Sequence, residues 1–254
     1  MKLHSTAAGV RLIERDTVGS TNAEALALAR AGERGPLWLT ARRQTAGRGR
    51  RGRVWVSELG NLYASLLLTA PAAREKFAEL SFVSALAVHD AVARFAGNAE
   101  LALKWPNDIL IDGKKFCGIL VEAADDAVVV GIGVNCAHHP ADAIYPATDL
   151  VSAGVVASPD RLFGELSGTM QARLSQWNRS AGFAAIREDW LKRATGVGGP
   201  VRVALPDGEH AGRFETIDQH GRLMLRRPDG ALEAIAAGDV FGLSTERQPA
   251  AAER

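Results

Sequence analysis

The residues with the most chemical potential lie between Gln44 and Arg53, where Q-T-A-G-R-G-R-R-G-R alternates glycine with arginine. Glycines at 47, 49 and 52 let backbone N–H groups approach a ligand without interference from a Cβ. The guanidinium forks of Arg48, Arg50, Arg51 and Arg53 can each make two hydrogen bonds to a phosphate or carboxylate. Such a loop can wrap an anion. It lacks the Lys-Ser/Thr ending of a phosphate-binding NTPase loop, and it precedes a β-type run instead of a helix, which disfavours that class. A solvated basic loop with a nucleic-acid contact is the plainer alternative.

Lys104-Trp105-Pro106-Asn107-Asp108 puts a cation, an amide and a carboxylate at the end of an expected strand. A lysine beside a carboxylate can be held by it to neutralise a phosphate. Eleven residues on, Lys115 opens K-F-C-G-I-L-V-E. Strict alternation places Lys115 on one face with Cys117 and Ile119, and leaves Gly118 on the opposite face, open to a ligand. Gly131-Ile132-Gly133-Val134-Asn135 is a further glycine-lightened strand with an amide at its end. Without a third glycine and a following helix it is not a dinucleotide fingerprint. Ser20-Thr21-Asn22 opens a helix, with Thr21 and Glu24 spaced as a capping box. The same N-terminus, carrying hydroxyls and an amide, can also bind a small polar group. His138-His139 precedes a proline without ligand spacing and reads as a surface pair.

These groups need positioning elements, and the apolar pattern supplies them. Strands are expected at 10–18, 37–41, 54–56 and 62–69, with the Ser20 helix running to about Arg30 between the first two. Phe77, Leu80, Ser84, Ala87, Val88, Ala91 and Phe95 mark one face of a long helix, closed at Gly97 and covering a sheet face. Strands follow at 101–105, 108–111, 116–123 and 127–134, joined by Asp112-Gly113 and Asp125-Asp126 turns. Ser158-Pro159 caps the first of two further helices, the second reaching Trp190. From Gly196, short strands broken by Pro206-Asp207-Gly208, His220-Gly221 and Pro228-Asp229-Gly230 predict a small β-barrel, and the last ten residues a frayed tail. The division is therefore 1–195 and 196–254.

Composition narrows the class. At 254 residues, 47% hydrophobic and 23% charged, the chain has an ordinary globular make-up, which excludes a disordered, collagenous or low-complexity chain. Net charge is only +1, and six arginines fall within residues 42–53, so the remainder is net acidic. The basic segment is a local device, not part of a surface that coats nucleic acid. No apolar run approaches the roughly 20 residues of a membrane span, no signal segment is visible, and a cytoplasmic protein is expected. The two cysteines, Cys117 and Cys136, lie in no paired pattern and are expected as core thiols.

S-T-N at 20, R-Q-T-A-G-R-G-R-R-G-R at 43, G-N-L-Y-A-S at 60, K-W-P-N-D at 104, K-x-x-G-I-L-V-E at 115 and G-I-G-V-N at 131 together resemble biotin protein ligase in order and spacing. The motifs cover residues 11–136, and the expected helices extend the likeness to about 195. The resemblance implies an α+β fold, with a mixed sheet packed by helices in a class II synthetase-like catalytic domain, and a small C-terminal SH3-like β-barrel. Only about ten residues precede the first strand, which implies the monofunctional type without an N-terminal DNA-binding domain.

The implied reaction joins biotin to ATP as biotinyl-5'-AMP with release of pyrophosphate, then transfers the biotinyl group to a lysine of a biotin carboxyl carrier protein, with Mg2+ accompanying ATP. By the same resemblance Ser20, Thr21, Asn22, Gln44, Arg48, Gly49, Arg50, Lys115 and Gly118 contact biotin. Arg50, Arg53, Trp55, Lys104, Asn107 and Asn135 serve the nucleotide. Lys115, Arg50 and Asp108 are the implied catalytic set, with Asp108 orienting a lysine, holding magnesium or activating the incoming amine. No metal ligands are assigned. Cys117 takes the place of a small residue in relatives, which would tighten the pocket.

Attachment of lipoate or octanoate on a similar fold is the nearest rival, and a non-enzymatic nucleic-acid binder using the arginines is a rival of another class. Neither DNA nor membrane is expected as a partner. A homodimer, or the carrier, could pair along an exposed strand near Val128–Val134.

Overall fold

The apolar runs of the N-terminal half assemble into one eight-stranded sheet. Its strands are β1 (Lys2–Ser5), β2 (Arg11–Val18), β3 (Leu37–Gln44), β4 (Leu62–Thr69), β5 (Leu101–Lys104), β6 (Asp108–Ile111), β7 (Lys114–Ala124) and β8 (Ala127–Val134), in the order β1-β2-β3-β4-β8-β7-β6-β5. The computed structural model describes residues 2–143 and 145–242. Within it β2 and β3 pair in parallel and the other neighbours antiparallel, so the sheet is mixed. Asp112 and Gly113 both take positive φ, 48° and 74°, as a tight hairpin between β6 and β7 requires.

β8 is not an exposed strand. It pairs with β4 on one side and β7 on the other, so the expected docking edge near Val128–Val134 does not exist. Its unbroken apolar run reflects burial in the sheet centre, which composition alone does not distinguish from an edge. Val54–Val56 likewise forms no strand. Val54 makes a single bridge to Arg48 and is 80% exposed.

Helix α1 (Thr21–Arg30) packs on one face of the sheet, where Ala25 and Leu26 join Ile13, Leu37, Leu39, Leu67 and Val129 in a core cluster. Ser20, not Thr21, caps it, its Oγ accepting from Ala23 N–H at 3.4 Å. The expected long helix starts as a 3-10 turn at Arg74–Glu79 and continues as α2 (Leu80–Ala93). It is buried nearly all round instead of on one face, because helices α3 (Pro159–Trp177) and α4 (Phe183–Leu191) cover the side away from the sheet. Trp38 meets Phe163 of α3 edge-on at 5.4 Å, on the sheet face opposite Leu39.

Two compact units are distinguished. One is formed by the described residues up to Thr195 together with Gln219–Gly221. The other comprises Gly196–Asp218 and the described residues from Arg222 onward. In the second, β9 (Pro200–Leu205), β10 (Gly208–Ile217), β11 (Leu223–Arg226), β12 (Leu232–Ile235) and β13 (Asp239–Gly242) form an antiparallel sheet ordered β12-β11-β10-β9-β13. Val201, Val203, Phe214, Leu223 and Leu225 are buried within it. The expected frayed tail lies outside the described residues. No described helix is long and apolar enough to cross a membrane.

Candidate active site

Register brings the sequence motifs into one line. Lys104 opposes Asp108, Asp108 opposes Gly118, Gly118 opposes Gly133, Gly133 opposes Tyr63, and Tyr63 opposes Ala41. Directly opposed residues share a face, so this row crosses six strands on the face where α1 begins. Its middle is two glycines wide, a bare strip flanked on one side by a lysine and a carboxylate.

A bulge creates that arrangement. Leu110 opposes Lys115 while Ile109 opposes Cys117, which leaves Phe116 as an extra residue in β7. The extra residue reverses the alternation beyond it. Gly118, and not Cys117, therefore shares the face of Lys115 and Asp108, which corrects the simple pattern. A Cβ built on Gly118 would lie 3.4 Å from Lys115 Nζ. Cys117 is fully buried on the opposite face, so it does not tighten this pocket, and burial pushes its thiol well above the ordinary range. Lys115 Nζ stands 2.6 Å from Asp108 Oδ1, with side-chain exposures of 24% and 12%.

The start of α1 supplies polar groups beside the strip. Thr21 N–H and Oγ1–H both donate to Gln44 Oε1, at 2.9 and 3.2 Å, and Gln44 Nε2 donates to Ser57 Oγ at 3.0 Å. Ser65 Oγ lies 2.8 Å from Thr21 Oγ1 and 2.6 Å from Asn22 Oδ1. Asn22 Nδ2 donates to Leu120 O and to Glu122 Oε2 at 2.9 Å. Asn22 comes so close to Gly131 that a Cβ there would overlap its amide. Ser20, Thr21, Asn22, Ser57 and Ser65 are all buried, so this is a fixed hydroxyl and amide surface suited to an uncharged polar ligand group.

The glycine-arginine segment is a narrow hairpin. Arg48 bridges Val54, Gly49 N–H donates to Arg53 O at 2.7 Å, and Trp55 N–H donates to Gly47 O at 3.0 Å. Arg51 and Gly52 turn it at positive φ, 54° and 72°. Arg48 reaches Glu122 at 3.2 Å, and Arg50 Nη1 donates to Asn107 Oδ1 at 2.9 Å. Trp55 lies across the bare strip. A Cβ on Gly133 would stand 2.6 Å from its indole, and Lys115 Nζ is 5.6 Å from its ring centre. Its Nε1–H is buried without a hydrogen-bond partner, and Asp108 Oδ1 has none beyond its ion pair with Lys115. An unpartnered indole N–H over the strip is what a ligand-binding site leaves open.

Most of the expected residues therefore converge. Lys104 sits at the end of the row with its ammonium 3.7 Å over the Tyr145 ring. Asn107 joins the arginine hairpin to β7 by donating to Ile119 O at 2.7 Å. Arg53 takes part in the hairpin through its backbone. Asn135 follows the end of β8, two positions beyond Gly133. It is buried and donates to Thr148 O at 3.1 Å, bracing the segment behind Lys115. Ser57 stands outside the sequence motifs, and Ser65 and Glu122 stand within them without an assigned role. Ser65 had a signal, as a polar residue inside an otherwise apolar strand. Among the described residues no three His, Cys, Asp or Glu side chains gather as a metal cage.

Residues 18–137 match the Biotin/lipoate A/B protein ligase family, and residues 197–242 match the Biotin protein ligase C terminal domain. The chain is 39% identical over 236 residues to a biotin–[acetyl-CoA-carboxylase] ligase of Mycobacterium tuberculosis, covering 89% of this chain and 86% of that protein. Its fold resembles a biotin protein ligase from Aquifex aeolicus in complex with biotin and ATP, with a TM-score of 0.79, 27% identity, and coverage of 91% of this chain and 97% of that one. The biotin–[acetyl-CoA-carboxylase] ligase of Paracoccus denitrificans is 45% identical over 234 residues, 87% of this chain and 96% of that protein, and the chain belongs to the biotin protein ligase family.

Proposed function

We infer that the chain is an ATP-dependent ligase that activates biotin as biotinyl-5'-AMP and transfers it to a lysine of a biotin carboxyl carrier protein. In the first step a biotin carboxylate oxygen attacks the α-phosphorus of ATP and pyrophosphate leaves. In the second the carrier amine attacks the acyl carbon, AMP leaves with the carboxyl oxygen, and the amine gives up a proton. The observation that carries this reading is the bare Gly118–Gly133 strip, bounded by the Lys115–Asp108 pair on one side and a polar α1 terminus on the other.

Both reactants are anionic, so the site must neutralise, align and enclose them. Lys115 is the cation for the carboxylate and α-phosphate, and Asp108 orients it. Thr21, Asn22 and Gln44 take the ureido ring, beside Ser20 and Gly118. Arg48, Gly49 and Arg50 close over the intermediate, while Arg50, Arg53, Trp55, Lys104, Asn107 and Asn135 serve the nucleotide. Magnesium enters as part of the ATP substrate, an ion bound chiefly by its phosphates. Residues 1–195 are the proposed catalytic domain, and 196–254 the proposed SH3-like barrel module.

The polar α1 surface favours biotin over lipoate, whose ring needs an apolar channel. Incubating the chain with ATP, a carrier domain and either acid, followed by mass spectrometry, tests this. One added biotinyl group is expected, and a lipoyl adduct instead would overturn the reading. A gel shift with DNA tests the non-enzymatic rival. Cross-linking with and without ligand tests a homodimer, for which β8 offers no free edge.

A further inference from the structure

The backbone of Lys115 is held from behind by a segment that none of the motifs includes. Lys115 N–H donates to Pro146 O at 2.8 Å, and Thr148 N–H donates to Lys115 O at 2.9 Å. Asn135 Nδ2 in turn fixes Thr148 O. The next residue, Asp149, is 3% exposed. Its Oδ1 accepts from Ser152 N–H at 2.7 Å, and its Oδ2 accepts from Ser152 Oγ at 3.0 Å and faces His139 Nδ1 at 2.5 Å.

A buried carboxylate persists only where its bonds offset the cost of leaving water. A neutral amide would satisfy the Ser152 N–H equally well. What the charge adds is a hold on His139, ten residues earlier in the same excursion from the sheet. The start of that excursion is pinned independently, because Asn61 Oδ1 accepts from the backbone N–H groups of Cys136, Ala137 and His138 at 2.8, 2.9 and 3.1 Å. The Asp149–His139 pair thus draws together the chain before and after the residues that bracket Lys115.

We propose that Asp149, paired with His139, is a positioning residue for the adenylation step: it fixes the 146–148 backbone and thereby the ammonium of Lys115. The proposal rests on the biotin-activating reading. It separates the two substrates. Thr21, Gln44 and Ser65, which form the polar surface for the biotin ring, stand on other elements, so loosening residues 146–148 should disturb the ATP-dependent chemistry far more than biotin affinity, to which Lys115 contributes only at the carboxylate.

The test uses the whole chain as Asp149→Asn, His139→Ala and the double variant. Three readouts are needed: biotin-dependent ATP–pyrophosphate exchange, biotin binding by calorimetry without ATP, and amide hydrogen exchange at Lys115 and Thr148. Asp149→Asn should lower kcat for pyrophosphate exchange about ten-fold, the scale of a sub-ångström misplacement at a reacting centre. Biotin Kd should stay within about two-fold, and both amides should exchange faster, as expected of independent sites. His139→Ala should act in the same direction, and the double variant should be no worse than Asp149→Asn alone. Unchanged pyrophosphate exchange, a parallel loss of biotin affinity, or additive effects in the double variant would each overturn the proposal. His139 is one-third exposed in its side chain, so its variant carries the test if Asp149→Asn does not fold. If the unsubstituted chain shows no biotin-dependent pyrophosphate exchange, the functional reading fails, while amide protection at Lys115 and Thr148 still decides whether Asp149 positions that backbone.

Discussion

Lys115 Nζ lies 2.6 Å from Asp108 Oδ1, and both side chains share a sheet face with Gly118 because β7 carries one extra residue at Phe116. The ammonium is thereby held at the border of the bare strip and not out in solvent. Removing it leaves two anions to approach each other without that neutralising charge. Lys115→Ala is expected to lower biotin-dependent pyrophosphate exchange by roughly 10² to 10³, the usual scale for one transition-state charge donor. Asp108→Asn keeps the shape and removes the charge that orients the lysine, and a smaller loss is expected. Near-normal exchange in Lys115→Ala would refute the assignment.

Gly133 is the seat of Trp55. A methyl group there would stand 2.6 Å from the indole, and no small side-chain shift relieves an approach so close. Gly133→Ala should unseat the ring and cost about 1–3 kcal/mol, as overpacking does. Urea unfolding measures the cost, and a red shift of tryptophan emission reports the displaced ring. A variant of unchanged stability and emission would show that the ring does not depend on this glycine.

Local signals in the sequence were enough for most of the fold. Asp112-Gly113 sets the β6–β7 hairpin, the apolar runs mark β4 and β8, and Ser158-Pro159 opens α3, all through short-range chemistry. The site was legible as a set of residues but not as a geometry. The parity of β7 depends on Phe116 being squeezed out where residues 146–148 pair with Lys115, a contact about 30 positions away that no local pattern records. The same limit explains Val54–Val56, which have β-type side chains but meet no partner strand, and α2, whose second buried side is made by α3 and α4. Glu122 closes the K-x-x-G-I-L-V-E motif, but its role was not legible because its partners, Asn22 and Arg48, are 100 and 74 residues distant.

Glu122 joins the arginine hairpin to the α1 terminus, since its carboxylate takes both Arg48 and the Asn22 amide. Glu122→Gln keeps an acceptor for Asn22 and removes the charge that attracts Arg48. Arg48 is 45% exposed in its side chain, so the pair contributes no more than about 1 kcal/mol, which corresponds to release of biotinyl-AMP roughly two- to five-fold faster. Retention of the labelled intermediate on a filter measures this. Equal retention times in the two proteins would show that the hairpin is held by other contacts.

Asp189 on α4 gathers Gln176 and Arg173 of α3, with Arg173 Nη1 2.7 Å from its carboxylate. The Gln176 amide, and after it the Arg173 guanidinium, hold its pKa down to about 2, against 3.8 for an ordinary aspartate. A folded-state pKa below the unfolded value means that this stabilisation is present above about pH 4 and is lost as the pH falls toward 2. Asp189→Asn should therefore lower Tm by about 2–4 °C at pH 7, where a partly exposed pair contributes about 1 kcal/mol. The difference between the two proteins should shrink steadily below pH 4, because protonation removes from the aspartate what the substitution has already removed. Calorimetry from pH 7 down to pH 2.5 follows it. A Tm difference that stays constant across that range would mean the carboxylate contributes through its shape and not its charge.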